Sequence, residues 1–378
     1  MVFAFLRGAL AILAVLAPLT PLAHAADLFE MKQMEEDDPP VSDPYAIIEE
    51  TTRDIALDPS NSKAYGDRAD AYYSLGKFDR ALDDLNHAVA INPHDQQHLY
   101  KRGVTLRDLG NPAGAIADFD RVLILDPAFA DAFVGRGLAF YALGKYREAV
   151  NDYTRALALN PLDDFAYNNR GNAFSERGEW DAAFADYNAA IAINPENASA
   201  RYNRGHASIT NGRYANALDD LNYVIENTPN DAEALGLRAE ALIAAGSDRA
   251  AVDDLNRVLT LDPRNAGAWG KRGVARVRVG EIEGGIGDLT NAIALDPSAE
   301  NYANRGNAAY QTGDYLKALR DFDRAVNINP EFHQARLHRA KTNEKLGNTN
   351  AAMEDYQAAA RRGNGQAKRL LKARNIAW

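Results

Sequence analysis

The chain has 378 residues, of which 46% are apolar and 25% charged, with 27 glycines, 15 prolines and no cysteine. That is enough apolar material for a folded core, and the absence of thiols removes disulfides, cysteine nucleophiles and cysteine-ligated zinc. With 42 Lys and Arg against 53 Asp and Glu, a net charge of -11, the surface is not built to neutralise phosphates or anionic lipid, so no nucleic-acid partner is expected.

The first segment, from Val2 to Leu22, is almost wholly apolar and runs into Ala23-His24-Ala25. It reads as a signal peptide spanning 1–25, with export to the periplasm as the expected destination. A retained membrane anchor is the alternative, and Pro18 and Pro21 weaken it as a spanning helix. Residues 26–43 form an acidic linker: seven acids stand against Lys32, beside Pro39 and Pro40. Asp43-Pro44 then opens an N-terminal capping helix, assigned to 44–61 and ending near Leu57.

Beyond it, prolines recur at Pro59, Pro93, Pro127, Pro161, Pro195, Pro229, Pro263 and Pro297, always 34 apart, and Pro330 follows after 33. A period this strict identifies a repeat array. Counted from Ser62, slot eight of the nine units is always Gly or Ala (Ala69, Gly103, Gly137, Gly171, Gly205, Ala239, Gly273, Gly306, Ala340). Slot twenty-four is bulky (Leu85, Phe119, Tyr153, Tyr187, Leu221, Leu255, Leu289, Phe322, Tyr356), so large side chains on one helix are expected to meet small ones on another. Slot fifteen is glycine in every unit, from Gly76 to Gly347, where a left-handed residue would end a first helix. The Asp, Asn or Thr before each repeat proline is expected to cap the next helix. The fold class is therefore all-α: stacked helical hairpins forming an α-solenoid.

Two polar ladders accompany the pattern. Slot seven is Arg in all nine units, from Arg68 to Arg339, and slot twenty-three is Asp in all nine, from Asp84 to Asp355. Such a pair is expected to cross-link helices within or between units, since either charge left alone in a half-buried setting is costly. Unit seven carries Gly284, Gly285 and Gly287 in its second helix, of which only Gly285 fills a small slot, so this helix is expected to be weak, a hinge unless it makes an unusually close contact.

Unit three (Phe133, Gly137, Phe140, Gly144, Ala149, Tyr153, Ala156, Pro161) and unit four (Tyr167, Gly171, Phe174, Gly178, Ala183, Tyr187, Ala190, Pro195) closely resemble the tetratricopeptide repeat (TPR) family, and the resemblance covers nine TPR-like repeats over 62–364. Unit nine departs from it, with Arg336 at slot four and Asn364 where proline is expected, and is expected to fray. Residues 365–378 read as a basic C-terminal capping helix with Lys368, Arg369, Lys372 and Arg374.

The resemblance implies a TPR superhelix whose first helices line a concave face, and a non-catalytic scaffold or adaptor holding envelope proteins or peptides there. The candidate partner-binding residues on that face are Phe165, Asn168, Asn169 and Asn172 in unit four, Tyr202, Asn203 and His206 in unit five, and Asn304, Asn307 and Tyr310 in unit eight. Amides can bond a peptide backbone while aromatics bury its side chains. The family's clamp for acidic C-terminal tails would need Lys and Arg after an Asn pair. Unit six instead offers Glu233 and Leu237, so chaperone-tail capture is not expected. A glycan- or polymer-binding carrier and a self-assembling structural component are the alternative readings. No catalytic residue, cofactor or metal ligand is expected: His94 with His98 has helical spacing but no third ligand nearby, and repeats consume nearly all the chain after 43.

Overall fold

The computed structural model describes residues 43–378, which form two compact units divided after Gly178. The leader and all of the acidic linker except Asp43 lie outside the described residues. Unit 1 contains α1 (Pro44–Leu57), α2 (Ser62–Ser74), α3 (Phe78–Ile91), α4 (Gln96–Asp108), α5 (Pro112–Leu125), α6 (Ala130–Ala142), α7 (Tyr146–Leu159) and α8 (Asp164–Glu176). Unit 2 contains α9 (Trp180–Ile193), α10 (Ala198–Thr210), α11 (Tyr214–Asn227), α12 (Ala232–Ala244), α13 (Asp248–Leu261), α14 (Ala266–Arg278), α15 (Ile282–Leu295), α16 (Ala299–Gln311), α17 (Tyr315–Ile328), α18 (His333–Lys345), α19 (Thr349–Arg361) and α20 (Gly365–Ala373). In each unit every helix packs on the next, and α4, α6 and α8 in the first, and α10, α12, α14, α16 and α18 in the second, also touch in succession. First helices thus form one continuous inner layer within each unit.

The turn inside each repeat follows from glycine. The slot-fifteen residues all take positive φ, from 68° at Gly76 to 91° at Gly280, a region where a Cβ would be strained. At the junctions the structure corrects the expected capping. The residue before proline ends the preceding helix: Asp58, extended at φ -136°, is the C-cap of α1. Its carboxylate accepts the Ser60 N–H at 2.9 Å, as Asp126 does for Ala128 and Asp262 for Arg264. The next helix is capped three residues after that pre-proline residue, where Asn61 accepts the Ala64 N–H at 3.0 Å and Asp163 the Ala166 N–H at 2.8 Å.

Packing obeys the large-against-small rule. A Cβ on Gly137 would lie 2.7 Å from the Tyr153 ring, and one on Gly306 would lie 3.0 Å from Phe322. Tyr153, Phe119, Leu221 and Phe322 are fully buried as a result. The Arg–Asp ladder binds the two helices of a hairpin together. Arg238 Nε and Nη2 donate to the two carboxylate oxygens of Asp254 at 2.8 and 2.7 Å, and the same fork joins Arg68 to Asp84, Arg136 to Asp152 and Arg339 to Asp355. The third donor reaches back sixteen residues into the preceding repeat, from Arg238 to Asn222 at 2.8 Å and from Arg102 to Asn86 at 3.1 Å. One guanidinium therefore closes a hairpin and staples it to its neighbour.

Unit nine is a complete hairpin rather than a frayed one. Arg336 Nε donates to the Pro330 carbonyl at 3.1 Å and its guanidinium lies 3.6 Å from Asp355, while Asn364 caps α20 through the Ala367 N–H at 2.9 Å. In unit seven a Cβ on Gly285 would fall 2.6 Å from Val277 Cγ2 and 2.7 Å from the Gly273 carbonyl, so α14 and α15 approach closely there. Gly287 is exposed with open space around it.

Two outcomes follow. Arg238→Ala leaves the Asp254 carboxylate buried without its fork and is expected to cost about 3 kcal/mol or more, read as a lowered urea midpoint; Arg238→Lys, with no fork, recovers only part. Gly287→Ala is expected to stabilise by about 0.5–1 kcal/mol through helix propensity, whereas Gly285→Ala must force the helices apart and lower the midpoint.

Candidate partner-binding face

The variable slots of the first helices face one another along the inner layer, and a fixed register connects them. Slot nine of one repeat meets slot six of the next: Lys101 Nζ lies 2.5 Å from Asp70, and Lys271 Nζ 2.6 Å from Glu240. Slots five and two meet likewise, with the Tyr202 hydroxyl donating to Glu233 at 3.1 Å. Burial, reinforced by Glu233, pushes the Tyr202 phenol above its ordinary range. Glu300 is also held up by burial, against the opposing pull of Lys271.

The ten predicted residues fall into three groups. On α8, in unit 1, Phe165, Asn169 and Asn172 are half-buried and Asn168 is buried, so its amide is not offered to a partner. Asn169 Nδ2 donates to the Phe165 carbonyl at 2.8 Å, which commits one of its donors. On α10, Tyr202, Asn203 and His206 are half-buried, with Tyr202 engaged as above. On α16, Asn304, Asn307 and Tyr310 are half-buried; Tyr310 stacks edge-on against Tyr315 at 5.2 Å, and Asn307 Oδ1 is buried without a hydrogen-bond partner. The helices α12 and α14 intervene between α10 and α16, so the structure does not join these two groups into one patch.

Sequence reading passed over the inner surface of repeat nine. His338 and Lys341 occupy slots six and nine of α18, and the register that pairs Asp70 with Lys101 sets His338 opposite Asn307. His338 Nε2 lies 3.2 Å from Gln334 Nε2 and its ring centroid 5.8 Å from that of Phe322. Burial, with Lys341 adding to it, lowers the His338 imidazole to about 4. The spacing of Asn307 to His338, equal to that of Asp70 to Lys101, was the available signal. His98, by contrast, is a packing residue: it is buried against Gly66, whose Cβ would meet its Nε2 at 2.5 Å.

These features define an all-helical repeat protein that presents inner helical faces of varied chemistry. A TPR repeat model matches residues 137–178 and 171–212, and tetratricopeptide repeat models match 66–130, 202–266 and 299–332. The chain belongs to the tetratricopeptide repeat family. Tetratricopeptide repeat protein 36 of Danio rerio is 32% identical over 69 residues, 18% of this chain and 37% of that protein, so the chain spans little more than a third of that relative's length. Among solved structures, PilW, a widely conserved type IV pilus biogenesis factor, matches with a TM-score of 0.52 at 18% identity, over 55% of this chain and 96% of its own. PilF of Pseudomonas aeruginosa matches at 0.50 and 17% identity, over 55% and 94%. Both share the fold. No helix among the described residues is long and apolar enough to cross a membrane.

The His338 environment carries a pH consequence. Its folded value, about 4, lies below the unfolded value of 6.5, so between the two the unfolded chain binds more protons. The stability it contributes is complete above about pH 6.5 and is lost as pH falls through about 4. The protection factors of α18 and α19 amides, that is, exchange relative to the intrinsic rate at each pH, are expected to fall with acid across that window in the native chain and to vary less with pH in His338→Gln.

Proposed function

We propose that the chain is a non-catalytic adaptor which holds extended segments of partner proteins on the inner faces of its first helices, and that it works outside the cytoplasm in the cell envelope. The family supports a role in protein–protein interaction, and the apolar leader ending at Ala25 supports export. One observation carries the binding reading. The conserved geometry of each hairpin is held by slots seven, eight, fifteen, twenty-three and twenty-four, whereas inner-layer residues such as Asn304, Asn307 and Lys341 are not used to hold it.

A photo-crosslinking residue placed at Asn172, Asn203 or Asn304 in the full chain, in cells, is expected to capture one or a few envelope proteins. The same residue at the exposed second-helix positions Asp83 and Asp253 is expected to capture none of them. Equal capture from both faces overturns the inner-face assignment. Links only between copies of the chain indicate self-assembly, and a saccharide adduct indicates a glycan carrier; either result replaces the adaptor reading.

A further inference from the structure

The first and last described helices are each half of a hairpin. Pro44 stands 34 residues before Phe78, so α1 is a second helix, with no first helix before it among the described residues. Its register is fixed by Arg68, which reaches back to Thr52 as Arg102 does to Asn86. Asn364 caps α20 as Asn61 caps α2, so α20 is a first helix, and no second helix follows it among the described residues. In repeat numbering, Glu50, Thr51 and Asp54 of α1 fall at slots twenty-three, twenty-four and twenty-seven, and Lys368, Arg369 and Lys372 of α20 at slots four, five and eight.

In a complete hairpin these slots meet. Slot four approaches slot twenty-three, as Arg201 does Asp220 at 3.8 Å and Arg336 does Asp355 at 3.6 Å. Slot five meets slot twenty-seven, since a Cβ on Gly270 would lie 3.9 Å from Ala292 Cβ, and slot eight abuts slot twenty-four, as Gly137 does Tyr153. At these slots α1 and α20 break the repeat rules in complementary ways. Slot twenty-seven is Ala or Val in all nine units but Asp54 in α1, and no unit carries a charge at slot five, where α20 has Arg369. Slot eight is Gly or Ala in all nine units but Lys372 in α20, while slot twenty-four is bulky in all nine but Thr51 in α1. Glu50, Asp54, Lys368, Arg369 and Lys372 are exposed, and none has an ion-pair partner among the described residues.

We infer that the chain associates head to tail: α20 of one copy docks on α1 of a second and completes a hairpin across the boundary. Lys368 then stands beside Glu50 and Arg369 beside Asp54, and the Lys372 stem lies over Thr51, where no ring projects to meet it. Opposite charges in register select this pairing over others, and the half-buried Ile47 and Ile55 of α1 gain the cover that a first helix gives elsewhere. The inner-layer register of slots five and two brings the second copy's Lys63 toward Arg369, but Lys63 is already held by Asp67 at 2.5 Å. Two different surfaces meet, so the contact is heterologous and each added copy offers a new α1 or α20 to the next. It uses none of Asn172, Asn203 and Asn304, and so goes beyond the adaptor reading and stands independently of it.

Sedimentation velocity of the full chain is expected to show a mass that rises with concentration and falls back in high salt. The double variants Glu50→Lys with Asp54→Lys, and Lys368→Glu with Arg369→Glu, each set like charges against one another and are expected to weaken association by about tenfold or more. An equimolar mixture of the two is expected to associate again, because the reversed ends match each other; that recovery also shows that both variants are folded. Since the chain has no cysteine, a second readout is direct. The 3.9 Å between Cβ positions at slots five and twenty-seven suits a disulfide, so differently tagged Asp54→Cys and Arg369→Cys chains, mixed under oxidant, are expected to form a mixed disulfide. Asp54→Cys with the exposed Asp253→Cys is expected to form little. The inference is overturned if the native chain keeps a single mass at all concentrations, if either double variant associates as the native chain does, if their mixture fails to associate, or if the control cysteines cross-link equally. Partner capture from Asn172 or Asn203 tests the adaptor reading separately, so either can fail without the other.

Discussion

The forked bond between the slot-seven arginine and the slot-twenty-three aspartate is the constraint on which the repeats depend. The carboxylate is nearly buried, with the Asp220 side chain 3% exposed, and a carboxylate so placed must be paired through both oxygens. Only a guanidinium supplies two parallel donors with a third left over. That third donor goes to Asn, Thr or Asp sixteen residues earlier, at Thr52, Asn86, Asp120, Asn222 and Asn256, so each arginine also measures the distance to the preceding repeat. Hairpin closure and hairpin stacking are coupled in a single side chain.

Small slots complete the arrangement. With no Cβ at Gly103 and Gly135, the Phe119 ring fits between α4 and α6, and both positions would clash with it if they carried a side chain. Aromatic bulk therefore sits between successive first helices rather than on their inner surface. Because these fixed slots hold the helices, the remaining inner-layer positions are free to vary, and they do: an ion pair at Asp70 and Lys101, an aliphatic residue at Leu138, amides at Asn169 and Asn172, and a second ion pair at Glu240 and Lys271. One scaffold can present a different chemistry at each repeat.

Several inner-layer groups are nonetheless spent on neighbours. Tyr202 bonds Glu233, and Tyr73 donates to Asp108 across repeats. Such bonds hold the inner layer together and narrow the surface left for a partner.

The sequence by itself determined the architecture, because the repeat rules are local. Proline every 34 residues, glycine at slot fifteen and the alternation of Gly137 with Tyr153 are each readable within one unit and are reinforced by nine repetitions. It also exposed the Arg–Asp ladder, though not its third bond, since nothing in a single unit shows which helix of the preceding one lies within reach of Arg102. Tertiary structure alone decided the junction caps, where extended backbone before proline turns Asp58 toward Ser60, and the close contact at Gly285, which depends on Val277 from another helix. It likewise decided how the candidate residues are used: Asn168 is buried and Tyr202 is engaged. Those outcomes rest on contacts between residues about thirty positions apart on different helices, which a local pattern does not specify.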